Sequence, residues 1–249
     1  MSKPKLYKLF SIVLALAVWQ IAASCVGTDF LLASPLKVLV RLTTVWREPG
    51  FLSTVWFSFL RISAGFLLAF AAGTILGMLA GRFRVLEYLL WPYVVTVKTV
   101  PVASFIILCL IWLDYNALTV LISFLIAFPV LYSNVLQGIR STDEKKKELA
   151  ALYRVPWTRR LVYIDLPSVK PYLLSGAAVS VGMAWKAGVA AEVIGIVDGS
   201  IGERLYQAKV YFQNADLLCW TIITILLSVV TEKLFILLLK TIFKEVERL

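Results

Sequence analysis

The chain has no histidine and only three cysteines in 249 residues. The first absence removes the commonest general base and metal ligand at neutral pH. Cys25, Cys109 and Cys219 are odd in number, dispersed and in apolar surroundings, so neither a disulfide framework nor a metal centre is expected. Charged residues make up only 16% of the chain, against about 25% in soluble domains. Without histidine or any carboxylate or cysteine cluster, catalysis has little to work with, which argues against a membrane-bound enzyme. No catalytic residue and no cofactor is expected. There is also no Gly-x4-Gly-Lys-Ser/Thr pattern, so ATP chemistry, if involved, belongs to another chain.

Apolar residues are what the chain has instead. They make up 60% of it, with a mean hydropathy of +0.86, and they come in runs long enough to cross a bilayer, which takes roughly 20 residues. The expected fold is an all-α integral membrane protein of about six transmembrane helices, at 6–26, 54–80, 86–113, 117–138, 171–197 and 217–239. Pro92 and Pro101 interrupt the third, so its first part is expected to be a bent or interfacial stretch leading into a shorter crossing. The N-terminal run, ending Ile21-Ala22-Ala23-Ser24-Cys25, has some signal-peptide and lipoprotein character. It is long for a signal core, Ala22 fits a lipobox poorly, and a first transmembrane helix is the favoured reading.

With the N-terminus inside, sixteen Lys and Arg fall on the inner side, five on the outer and four (Arg61, Lys98, Lys186, Lys233) within spans. This asymmetry places both termini in the cytoplasm. It also accounts for the net charge of +10 without a nucleic-acid partner. The longest inner segment, 139–170, is the highly charged one.

Gly65, Ala69, Gly73, Gly77 and Gly81 put a small residue at every fourth position of the second span, and Gly176, Ser180, Ala184 and Gly188 do so in the fifth. Such spacing lets helix backbones approach closely where lipid gives no hydrophobic drive. Packing within one subunit is favoured over a dimer interface.

In the inner segment, Asp143 to Ala151 has helix-forming composition, with Asp143 and Glu144 near its start where negative charge suits the helix dipole. Pro156 is expected to stop it. A second short amphipathic stretch, 157–164, is expected to reach Leu166-Pro167 before Ser168 and Pro171 open the fifth span. Leu149, Leu152, Tyr153 and Val155 then form an apolar side able to enter a partner's groove.

These residues resemble the type I import permeases of ATP-binding-cassette systems. The family's cytoplasmic signature is Glu-Ala-Ala, three residues, Gly, nine residues, Ile, one residue, Leu-Pro. Glu148, Ala150, Ile164, Leu166 and Pro167 match it with the spacing intact, while Leu149 replaces the central Ala and Arg154 the Gly. That glycine allows a turn between two short helices; Pro156 is expected to supply the break here. The resemblance implies a permease domain at 53–240 with its coupling loop at 139–170, preceded by a transmembrane helix and external loop at 1–52 and followed by a cytoplasmic tail at 241–249. It implies that Glu148, Leu149, Ala150, Leu152, Tyr153, Arg154, Ile164, Leu166 and Pro167 receive an ATPase. It further implies two copies of that ATP-binding subunit, a second permease chain that is most simply identical, an extracellular or periplasmic solute-binding protein, and location in the bacterial plasma (inner) membrane. Thr99-Val100-Pro101-Val102-Ala103, Trp185-Lys186 and Ala191-Glu192 look like the branch handling nitrate, sulfonates, taurine and bicarbonate. Relatives carry riboflavin or a thiamine precursor, which is the alternative solute class.

Ionisable residues near midspan normally face water or a partner. Lys186 lies about eleven residues from either end of its span and about 200° around the helix from Ala184. It is a candidate for the translocation path, with Lys98 and Glu192; a structural pair with Glu192, Glu232 or another carboxylate is the competing reading. Glu192 shares the small-residue face and could meet Arg61. A channel or secondary transporter working without ATP would call for titratable groups in the spans and inverted repeats, and neither is apparent.

Overall fold

In hydrocarbon a backbone N–H or C=O has no water to bind, so spanning segments close their hydrogen bonds internally. In the structure, a computed structural model that describes residues 3–28 and 31–246, every regular element among the described residues is helical. In chain order these are α1 (Lys3–Val26), α2 (Pro35–Thr44) with a 3-10 turn at Val45–Arg47, α3 (Phe51–Arg82), α4 (Arg84–Thr99), α5 (Val102–Cys109) and α6 (Tyr115–Arg140). Then follow α7 (Glu144–Leu152), α8 (Trp157–Arg160), a π turn at Leu161–Asp165, α9 (Leu166–Gly195), α10 (Ile201–Val210) and α11 (Asn214–Val246).

Four helical stretches are long and apolar enough to cross a membrane: Phe51–Arg82, Tyr115–Arg140, Leu161–Gly195 and Asn214–Glu245. The bent pair α4 and α5 makes a fifth if it counts as one span. In α1 the apolar portion is the shorter Phe10–Val26.

The bend expected in the third span is present, as two helices meeting at 102°. Proline disfavours helical geometry in the residue before it, and Val100, ahead of Pro101, is extended (φ −66°, ψ 130°). Pro92 lies inside α4 without ending it. The stretch at 157–164 and the fifth span, expected to begin at Pro171, form one continuous helical run. Helix runs on from Trp157 through α8, the π turn and α9, with Pro167 in the first turn of α9 and Pro171 inside it. The π turn closes with the Leu166 N–H on the Leu161 carbonyl, and the widened turn accommodates the ring that follows it. The expected tail is mostly helix too, since α11 extends to Val246; residues 247–249 lie outside the described set.

Helix α6 lies between α3 and α9. A methyl group placed on Gly73 would come within 2.8 Å of Leu131 Cβ, on Gly77 within 2.9 Å of Val135 Cβ, and on Gly81 within 2.7 Å of Ile139 Cβ, all on α6. Gly65 meets the Val120 carbonyl and Ser123 in the same way. From the other side, Gly176 abuts Asn134, and Gly188 abuts Ser123 of α6 and Ile62 of α3. The small-residue stripes of α3 and α9 thus both face inward within one chain. The main core follows these helices, with Ile62, Phe66, Leu131, Val135, Val181 and Trp185 buried in it. A smaller cluster, Ile106, Cys109, Leu118, Ile122, Ala187 and Ala191, seats α5 against α6 and α9. Over half of the apolar window of α9 is buried but only 11% of that of α11, which puts α11 at the periphery.

Candidate coupling surface and transport path

Helix α7 begins where charge favours it: the Asp143 carboxylate accepts from the Lys145 N–H at 3.0 Å, and Glu144 sits in the first turn. Its end is a Schellman motif. The Val155 N–H reaches back to the Ala150 carbonyl (2.9 Å) and the Arg154 N–H to that of Ala151 (3.1 Å), with Arg154 left-handed at φ 48°. That conformation favours glycine. The turn expected at Pro156 is therefore made two residues earlier, at the position where the resembled family has Gly, and arginine adopts the glycine geometry there.

The turn sets which residues are presented. Glu148, Leu149, Leu152, Tyr153 and Arg154 are exposed, whereas Ala150 is buried and Val155 half-buried. Leu152 and Tyr153 are 78% and 73% exposed, far more than large apolar side chains reach in a finished core, and they lie on a stretch too charged to enter lipid. Of the second half of the motif, Ile164 is half-buried, Leu166 packs on the main core and Pro167 is exposed. Between Ile164 and Leu166, Asp165 is buried and pairs with Arg160 at 3.7 Å. Both border a cleft of about 420 Å³ whose other wall is formed by the ends of α3 and α6, at Met78, Arg82 and Ile139. The π turn thus faces the ends of the central helices across this cleft.

The candidate path residues have different surroundings. Lys186 is exposed and makes no ion pair among the described residues, while its neighbour Trp185 is buried. Lys98, in the last turn of α4, is exposed and donates to Ser133 Oγ of α6 at 2.7 Å. Glu192 is fully buried. Its Oε2 accepts from Ser58 Oγ of α3 (2.8 Å) and from the Gly202 N–H of α10 (3.2 Å). It does not pair with Arg61, which donates to Asn116 of α6 and stacks on Phe57, 3.2 Å from the ring centroid.

Two helices were not expected from the sequence, and both lie in the connections at 27–53 and 198–216. Their start signals are present: Ser34 caps α2 ahead of Pro35, and Ser200 accepts from the Glu203 N–H at 3.0 Å while Glu203 accepts from the Gly199 N–H at 2.6 Å, a reciprocal pairing close to a capping box. Arg41 of α2 pairs with Glu48 and with Asp216 at the start of α11. Burial alone would lower the Arg41 pKa, but the hydrogen bonds it donates to Asp216 and Glu48 outweigh this and raise it. This triad ties α2 to α11 at the end of the molecule where α10 lies.

A family model described as "binding-protein-dependent transport system inner membrane component" matches residues 73–246. Among curated relatives, the putative aliphatic sulfonates transport permease of Bacillus subtilis is 27% identical over 231 residues, 92% of this chain and 83% of its own. The nitrate import permease of Synechococcus elongatus is 27% identical, over 83% of this chain and 77% of its own. The formylaminopyrimidine transport permease of Halalkalibacterium halodurans is 29% identical over 74% of each. With the family model covering most of the chain, from the middle of α3 through α11, this protein belongs to the inner-membrane permease components of binding-protein-dependent ATP-binding-cassette importers.

Proposed function

We propose that the chain forms, with a second copy of itself, the translocation path for a small anionic solute, and that two separate ATP-binding subunits drive it by gripping α7 and the Arg154 turn. The observation carrying this reading is the solvent-exposed apolar end of α7, with Leu149, Leu152 and Tyr153 beside Glu148. Such a side suits a partner's groove, and the π turn further along the same segment faces the ends of α3 and α6, which offers a route for force into the central bundle. The chain itself carries no ATP-hydrolysing site. Both termini are cytoplasmic, as the Lys and Arg asymmetry supports; α2 and α10 then face outward, toward the solute-binding protein. The permease unit is 53–240 with its coupling loop at 139–170, and 1–52 adds a peripheral helix and external segment. Lys186 and Lys98 line the path, where an unpaired cation attracts an anion.

Sulfonate and nitrate permeases among the relatives favour an anion; the formylaminopyrimidine permease keeps a vitamin precursor as the second reading. Co-purification tests the proposal. The ATPase should be retained by wild type and lost in Glu148→Arg with the permease still folded. Uphill accumulation by the reconstituted permease alone would overturn it.

A further inference from the structure

We propose that Glu192 is a positioning residue for transport: its carboxylate fastens the outward helix α10 to the ends of α3 and α9, so that a binding protein docking on that face acts on the transmembrane core through α10. The inference rests on the orientation and binding-protein dependence proposed above.

One residue joins three helices here. The backbone carbonyl of Glu192 accepts from the Ile196 and Val197 N–H groups and so ends α9. Its side chain then starts α10, accepting from the Gly202 N–H, while Ser58 Oγ both donates to the carboxylate and accepts from the Ile201 N–H at 2.9 Å. The first N–H groups of a helix have no partner within it. In α10 two of them are taken by α3 and α9, in addition to the Ser200 cap on Glu203.

The fit is close. A Cβ on Gly202 would collide with Glu192, coming within 2.5 Å of its carbonyl carbon. Between the two helices Ile196 is left-handed at φ 49°, an outlying conformation for a β-branched residue that persists only where its surroundings hold it. Capping alone would not need a buried carboxylate, since the Ser200 hydroxyl already caps the helix start. The second acidic oxygen, Oε1, is buried without a hydrogen-bond partner, an expensive arrangement for any residue whose role was confined to filling space.

The test uses the full complex with its ATPase in liposomes and measures ATP hydrolysis with and without solute-loaded binding protein. Ser58→Ala should leave basal hydrolysis unchanged and cut the stimulated component roughly tenfold, the scale of a lost charge-assisted hydrogen bond. Glu192→Ala should do the same, and Glu192→Gln, whose amide oxygen accepts from the same donors, should restore most of the stimulation. Hydrogen exchange at Ile201 and Gly202 should speed up in the two alanine variants. If Glu192→Ala does not assemble, Ser58→Ala and Gly202→Ala, which wedges the contact open, decide the matter. Full stimulation in those variants despite faster exchange would overturn the inference, as would Glu192→Gln failing as badly as Glu192→Ala. Absence of stimulation in wild type would instead overturn the functional reading beneath it.

Discussion

Arg154, Ile196 and Phe212 share one conformation, left-handed with φ between 48° and 55°. Each closes a helix by a bond from the residue after it to a carbonyl five residues back: Val155 to Ala150, Val197 to Glu192 and Gln213 to Ala208. None is glycine, the residue that usually marks such an ending. This is why the Arg154 turn is hard to read: the motif puts a turn glycine at this position, but arginine stands there instead, and Pro156 points two residues too far. An L-residue with a Cβ held left-handed costs about 1–2 kcal/mol, and glycine returns part of that gain as unfolded-state entropy. Arg154→Gly should therefore stabilise the purified permease by up to about 1 kcal/mol, read as a higher midpoint in thermal unfolding in detergent, with no such gain from Arg154→Ala. Lys186 was legible by angle alone. Its offset from Ala184 leaves it exposed while Ala184 and Glu192 are both fully buried. Removing its charge in Lys186→Gln should reduce anion uptake, measured with labelled solute in vesicles, while the assembled complex and its basal ATP hydrolysis persist; undiminished uptake would remove Lys186 from the path.

At the scale of the elements, long periodic helices could be read, and among the short ones those of the charged segment 139–170 could be read while α2 and α10 could not. The glycine stripe of α3 announced a close neighbour because a row of missing side chains has no other use in a lipid-facing helix. The sequence could not name α6 as that neighbour, since the holes in one helix do not say which knobs fill them. Gly65 gives the sharpest test. Its α-carbon faces the Val120 carbonyl and Ser123 with no room for a methyl group, so Gly65→Val should force α3 and α6 apart and cost about 1–3 kcal/mol, or prevent assembly. The yield and melting point of the solubilised chain would report it, and a neutral result would mean the two helices do not pack as described. Prolines say less, because their effect depends on context: Pro101 turns the chain, Pro92 and Pro171 ride inside helices, and Pro167 follows a π turn wide enough for its ring. Helices α2 and α10 escaped notice since each has only ten residues and lies in a stretch defined by its lack of apolar runs, although Ser34-Pro35 and Ser200 with Glu203 were there to be seen.

For the molecule as a whole, the distribution of burial separates a central trio, α3, α6 and α9, from a periphery formed by α1 and α11. Composition and charge were enough to give an all-helical membrane protein. Hydropathy averages over direction and does not show that one apolar run folds into a corner; Pro92 and Pro101 give the bend, and the structure puts it at Pro101. Orientation can be tested with the native cysteines, for Cys25 is exposed near the end of α1 while Cys109 and Cys219 are buried. A membrane-impermeant maleimide added to intact cells should label Cys25 and nothing else in this chain; labelling only in inverted vesicles would reverse the topology.

The corner at Pro101 has a physical corollary. Helix α5, the limb beyond it, has eight residues and so rises about 12 Å, against roughly 30 Å of hydrocarbon. That limb alone is too short to cross, so the corner has to be sheltered by protein rather than lipid, and Val102 and Phe105 just past it pack on the cluster around Ile122 of α6.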